Sequence, residues 1–268
     1  MLTKLPKITI VTPSFNQAKF LERTILSVLN QNYPNLEYII IDGGSTDGSV
    51  EIIKKYEKKL AWWVSEKDRG QAEAINKGLK RATGDWVAWQ NSDDVYFDDV
   101  FFNLIECVKK NPTAGMIIAN LMLIDEKDKS LRDICYVRPT YNSVLAEGMV
   151  LCNQAAFWKR DIHDDIGYLD ERFHYSFDFE WFLRLLKKYK AKHINQIWGG
   201  LRQHNLSKSN LKKEKFYLEN KTIISTKELL KIQIIFFKIR RLLLLLFNGQ
   251  IFYILRGLYK LLSSKFSN

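Results

Sequence analysis

Cysteine is scarce in this chain of 268 residues: Cys107, Cys135 and Cys152 are odd in number and widely spaced. Such a set excludes a disulfide framework or a zinc cluster and leaves reduced, buried thiols. Long apolar runs are missing too. Near the N-terminus only Ile8 to Val11 is apolar, and Pro13 breaks it, so no signal-peptide core is present. The longest uncharged run, Leu242 to Leu255, has 14 residues and contains Asn248-Gly249-Gln250. A bilayer span needs roughly 20. Action on the cytosolic side is therefore expected. Acids nearly vanish towards the end. From Lys227 onward Glu228 alone faces eight Lys and Arg, which carries +7 of the net charge of +11. Before residue 227 there is neither an internal repeat nor a low-complexity linker.

What is present is the patterning of a folded α/β protein, with 46% hydrophobic residues. Lys7 to Thr12 reads as a short buried strand ended by Pro13. Phe20, Leu21, Ile25, Val28 and Leu29 then recur at helical spacing. Leu36 to Ile41 is a second strand, Ser49 to about Lys59 a helix, Ala61 to Val64 a third strand, and Gln71 to Ala82 a helix. Trp86 to Gln90 is a fourth strand. Continuous apolar strands alternating with helices predict an α/β, mostly parallel, Rossmann-like sheet covered on both faces. Ligands bind such sheets at the carboxyl ends of the strands, and the polar clusters fall there. Phe15-Asn16 follows the first strand, Asp42 the second, Asp68 to Gln71 the third and Asp93-Asp94 the fourth.

Asp93-Asp94 has the chemistry of a magnesium or manganese site, since carboxylate oxygens suit hard cations that in turn hold a diphosphate. Solvated loops and helix caps also carry such pairs, and Asp98-Asp99 reads as a cap. Asp178 precedes an apolar run, Phe179 to Tyr189, where it fits either a helix cap or a general base. His204 fits a structural role or a metal ligand.

Thr12-Pro13-Ser14-Phe15-Asn16, Ile41-Asp42-Gly43-Gly44-Ser45-Thr46-Asp47-Gly48-Ser49, Asn91-Ser92-Asp93-Asp94 and Asp178-Phe179-Glu180-Trp181-Phe182-Leu183-Arg184 resemble, in order and separation, the family 2 glycosyltransferases. The resemblance runs from about residue 7 to about 210 and implies the GT-A fold, a nucleotide-diphospho-sugar donor, a divalent metal and inversion at the anomeric carbon. It places Pro13, Phe15, Asn16, Asp42, Asp68, Gly70, Gln71, Asn76 and Asp93 at the donor, and Asp93, Asp94 and His204 at the metal. Asp178 falls on the catalytic base, and Asn153-Gln154 on the border of the acceptor pocket. Three positions depart from the pattern: Asn91 and Gly43 replace acids, and Phe177 stands where an acid often precedes the base.

The implied organisation is a catalytic domain over residues 1–226 and a basic amphipathic helical tail over 227–268. Lys227, Lys231, Lys238 and Arg241 fall on one helical stripe, which predicts peripheral contact with an anionic inner membrane surface and a saccharide or lipid-linked acceptor. A nucleotidyltransferase is the nearer alternative. Nucleic-acid binding is not expected, because acids line the crevice and the basic excess sits in an apolar tail.

Overall fold

The computed structural model describes residues 5–205, 213–224 and 231–265. Its first half follows the predicted rhythm. β1 (Ile8–Ser14) is wholly buried, and α1 (Ala18–Leu29) lays Phe20, Leu21, Ile25 and Val28 against the sheet. β2 (Leu36–Asp42), α2 (Ser49–Tyr56), β3 (Trp62–Ser65), α3 (Gln71–Arg81) and β4 (Trp86–Trp89) come next. β1 pairs in parallel with β2 and β4, and β2 with β3. Pro13 does not end β1: it stays in register opposite Ile41. Because Ser14 pairs with Asp42, and Asp42 with Ser65, the strands finish level and their loops emerge side by side.

The second half departs from a mostly parallel sheet. β5 (Val95–Tyr96), α4 (Val100–Lys110), β6 (Met116–Ile124), β7 (Ser130–Ile134), α5 (Tyr141–Glu147), β8 (Ala156–Lys159), α6 (Ile162–Ile166), α7 (Phe177–Lys188) and β9 (Ala191–Arg202) complete a nine-stranded mixed sheet. Its order is β3-β2-β1-β4-β8-β6-β9-β5, with β7 on β6. β8 runs antiparallel to both β4 and β6, and β5 antiparallel to β9. The physical reason lies in the connections. β6 and β7 form a tight hairpin, closed by the Asp125 amide on the Lys129 carbonyl, where no helix intervenes to return the chain in parallel.

Under the junction of the two halves lies an aromatic cluster. Trp89 is stacked on Phe182 at 5.9 Å between ring centres and meets Trp158 and Trp181 edge-on at 5.1 and 6.1 Å. His163 joins it. The Trp158 indole N–H donates to His163 Nε2 at 2.9 Å, and burial pushes the imidazole pKa down to about 4, so the ring is neutral at physiological pH.

Among the described residues three helices follow β9. α8 (Lys213–Ile224) places Ile223 and Ile224 against the main core. α9 (Lys231–Phe247) and α10 (Ile251–Lys265) form a hairpin about Gly249. It docks through Leu245 on Cys135 and Val137 and through two ion pairs, Arg241–Glu147 at 2.8 Å and Arg256–Asp133 at 2.5 Å. The expected basic stripe is therefore divided: Arg241 turns inward to Glu147, while Lys238 stays exposed. Lys227 and the expected 226/227 boundary lie outside the described residues.

α3 comes close to the sheet at Gly78. A β-carbon there would lie 2.3 Å from Val11 Cγ1, so α3 packs on β1 through a bare backbone. Alanine favours helices over glycine by about 1 kcal/mol, yet overpacking costs roughly 1–3 kcal/mol. Gly78→Ala is expected to lower unfolding free energy by about 1–2 kcal/mol in urea titration; a gain in stability would show that the approach is not tight.

Candidate active site

Loop one brings Phe15 and Asn16 to the crevice. Phe15 is 59% exposed, an aromatic face turned outward. Asn16 adopts φ 51° and organises the neighbouring loop: its amide donates to Ser45 Oγ at 2.8 Å and its Oδ1 accepts the Thr46 amide at 2.9 Å. Pro13 is buried in the sheet one residue short of the strand end.

Asp42 is fully buried, which differs from the expected donor contact. Its two oxygens accept the Gly44 and Ser45 amides and the Ser45 and Ser65 hydroxyls, at 2.5–3.1 Å. Four donors on one carboxylate make it the organiser of the 43–48 loop. The acid that reaches the crevice is Asp68. One oxygen accepts the Gly70 amide at 2.9 Å, and the other lies against Gly43. Burial holds the Asp68 carboxyl above the ordinary carboxylate range, opposed by the Gly70 amide and Lys77. Gln71 reaches across to Asn91 Oδ1 at 2.9 Å and so links the third loop to the fourth. Asn76 stays inside: its amide exchanges hydrogen bonds with the Leu169 backbone at 2.9 and 3.0 Å, which ties α3 to the loop before α7.

Asp93 and His204 meet at the end of β4 and β9, Oδ2 to Nε2 2.9 Å, with side chains 20% and 2% exposed. Asp94 does not join them. It is 1% exposed, and its oxygens accept Gln154 Nε2 at 2.6 Å, the Arg202 amide at 2.8 Å and Asn91 Nδ2 at 3.3 Å. Burial first, and the adjacent Asp93 second, push its carboxyl well above the usual range. Asn153 and Gln154, expected at the acceptor border, are likewise buried, and Gln154 serves Asp94. An open cleft of about 470 Å³ lies instead between the start of α3 and the 170–174 turn, lined by Arg69, Glu73, Glu171, Arg172 and His174.

Asp178 sits in the first turn of α7, after the cap position held by Ser176, so it is not the helix cap. Its Oδ1 accepts the Phe179 amide at 2.8 Å. Asp99 does take the cap position of α4, without a side-chain hydrogen bond. Sequence reasoning missed Arg202, whose side chain is fully buried. Its Nε donates to the Asp93 carbonyl at 2.6 Å, its guanidinium pairs with Asp128 at 2.5 Å, and its backbone amide holds Asp94. An arginine two residues before the histidine was the available signal.

Among the described residues no group of three or more His, Cys, Asp or Glu forms a metal cage. Asp93 and His204 still fit a manganese or magnesium ion. Such ions are commonly held by one or two protein ligands, with substrate phosphates and water filling the other positions.

A nine-stranded mixed α/β sheet with polar loops gathered at the carboxyl ends of its parallel strands and an Asp–His pair at their edge defines the class, a GT-A type glycosyltransferase. A family model described as Glycosyl transferase family 2 matches residues 9–167, and the chain belongs to that family. Among its relatives is the putative teichuronic acid biosynthesis glycosyltransferase TuaG of Bacillus subtilis, 38% identical over 112 residues. That alignment covers 41% of this chain and 44% of the relative, so the match spans less than half of that protein's length. Among solved structures, S. aureus TarS 1-349 in complex with UDP-GlcNAc superposes with a TM-score of 0.65 at 15% identity, over 85% of this chain and 69% of that one. The mannosyltransferase PcManGT from Pyrobaculum calidifontis, in complex with GDP-Man and Mn2+, superposes at 0.62 with 18% identity, over 86% and 67%.

Gly43 supplies a test of the crevice. A β-carbon there would lie 2.6 Å from Asp68 Oδ2 and 3.3 Å from Phe15 Cδ2, so any side chain moves both walls. Gly43→Ala is expected to weaken nucleotide-sugar binding about tenfold, or about 1.4 kcal/mol, by calorimetry. Unchanged affinity with an unchanged fold would remove Asp68 and Phe15 from the donor site.

Proposed function

We propose that the chain is an inverting glycosyltransferase that moves a sugar from a nucleotide-diphospho-sugar to a hydroxyl of a saccharide or lipid-linked acceptor. The observation that carries this reading is the shared support of two groups: the strand leading to Asp93 and the helix carrying Asp178 are packed on one another through Trp89 and Phe182. Phe15, Asp68 and Gln71 line the donor side, and the hydroxyl-rich acceptor enters by the polar cleft beside Glu171 and His174. The acceptor oxygen attacks the anomeric carbon from the face opposite the nucleotide, and its proton passes to Asp178. The bond from that carbon to the diphosphate breaks, and the nucleoside diphosphate leaves with the electron pair. Asp93 and His204 would hold a manganese or magnesium ion, which when bound would supply Lewis-acid stabilisation of the charge gathered on that leaving group.

A screen of UDP-, GDP- and dTDP-sugars for acceptor-dependent release of nucleoside diphosphate identifies the donor. With that donor, Asp178→Asn is expected to lower kcat by about 10²- to 10⁴-fold while donor binding persists, because the amide keeps the shape but cannot take the proton. Asp93→Ala is expected to weaken donor and manganese binding together, and chelation to remove activity that either cation restores. Turnover like that of the unmodified enzyme in Asp178→Asn defeats the base assignment; full activity in excess chelator defeats the metal.

The same reading brings the enzyme to an anionic membrane surface through the α9–α10 hairpin. Residues 231–265 hold seven Lys and Arg and no acid. Phe236, Leu243, Leu255 and Tyr259 are 59%, 50%, 53% and 75% exposed, and Phe247 and Phe252 at the tip are 86% and 83% exposed. So large an apolar face on a docked hairpin suits insertion at an interface, to which each basic residue adds about 1 kcal/mol near anionic lipid. No described helix is long and apolar enough to cross the bilayer. Phe247→Ser with Phe252→Ser is expected to lose sedimentation with phosphatidylglycerol vesicles and to keep transfer to a soluble acceptor. Undiminished vesicle binding, or loss of a dimer with no vesicle binding in the unmodified protein, overturns this assignment.

A further inference from the structure

The helix that carries Asp178 begins without a cap of its own: Ser176 stands at the cap position, and its side chain makes no capping bond. Helix starts leave backbone N–H groups that need an acceptor. For the amide of Ser176 and those of the two residues before it, the acceptor comes from another element. Glu219 of α8 receives the amides of His174 at 3.0 Å, Tyr175 at 2.9 Å and Ser176 at 2.8 Å, three consecutive donors on one carboxylate. Ser176 is 1% exposed, and its bond to Glu219 is partly shielded from water, whereas the His174 bond lies at the surface. The contact is reinforced by Phe216, whose ring meets Tyr175 edge-on at 5.4 Å, and by Lys215 over the Tyr175 ring.

We infer that Glu219 is a positioning residue for Asp178, fixing the 174–176 turn and with it the direction in which the first turn of α7 presents the carboxylate. The inference rests on the reading of Asp178 as the base. Two features separate this role from general support of the fold. The rest of α7 is anchored independently through Trp181, Phe182 and Leu185, all fully buried, so the helix stays in place when the turn is released. α8 itself is largely outside, with Tyr217 and Leu218 66% and 56% exposed. What Glu219 controls is thus the start of α7, two residues from the proposed base.

The test uses the full chain, the donor found by the nucleotide-sugar screen, and manganese. Glu219→Ala removes the acceptor; Glu219→Gln keeps the volume but turns an NH2 group towards the amides. Both are expected to lower kcat by about 10- to 100-fold. The donor Kd by calorimetry and the thermal midpoint stay close to those of the unmodified enzyme. In an Asp178→Asn background, Glu219→Ala is expected to change the residual rate by no more than about twofold, since residues acting through one another are not additive. Normal kcat in both Glu219 variants overturns the inference. So do equal losses in the two backgrounds, or a loss of donor binding parallel to the loss of rate. A fully active Asp178→Asn enzyme strikes the base reading itself, whichever way the Glu219 variants behave.

Discussion

Everything at the crevice depends on one packed contact, that of Trp89 with α7. Trp89 is the last residue of β4, four positions before Asp93, and its ring is 1% exposed. Phe177, Trp181 and Phe182 of α7 surround it, with ring centres 6.5, 6.1 and 5.9 Å away, and Trp158 of β8 closes the group. Protein interiors are as dense as organic crystals, so rings interlocked in this way transmit position without slack. The strand that leads to Asp93 and the helix that carries Asp178 are consequently one mechanical unit, although 85 positions of sequence, from 93 to 178, lie between the two acids.

A second constraint closes the other side. Arg202, buried at the end of β9, places its amide on Asp94 and its guanidinium on the Asp93 carbonyl and Asp128. Burying charge costs several kcal/mol per ion unless it is paired and hydrogen-bonded. Here each partner is satisfied by geometry that also fixes Asp93. Asp94 is drawn towards its neutral form by burial and by its neighbour, while Asp93, 20% exposed, is the acid turned to the crevice.

The parallel half of the sheet was legible because its strands are continuous apolar runs and each ends in a distinct polar cluster. Lys7 to Gln90 thus holds enough periodic signal to set element type and order. The mixed half was not. β5 is two residues long, and β8 is a short apolar stretch whose direction depends on pairing with β4 and β6, which no local pattern encodes. At the site, residue types were easier to read than side-chain directions. Asp42, Asn76, Asp94 and Gln154 are expected at the crevice from their neighbours in sequence, yet each turns inward to serve a backbone or side-chain group. Arg202 and Glu219 were missed for the opposite reason. Their partners lie far away in the chain, at Asp93 and Ser176, and only the tertiary fold brings them together.

The two departures from the family pattern at residues 43 and 91 then have a common physical cause. Asn91 accepts from Gln71 and donates to Asp94, which an amide can do and an ionised carboxylate cannot. An acid at 91 would put a negative charge beside Asp93 and Asp94, and would leave the buried Asp94 short of a donor. Gly43 works in the same direction. An acid there would bring a second carboxylate against Asp68, whose oxygen already fills the space a β-carbon would need. Glycine lets Asp68 swing in from the third loop to the place where a side chain on the second loop would stand. In both cases a charge is removed from one loop because an acid on an adjacent position already occupies the ground, and the crevice keeps its shape with fewer mutually repelling carboxylates.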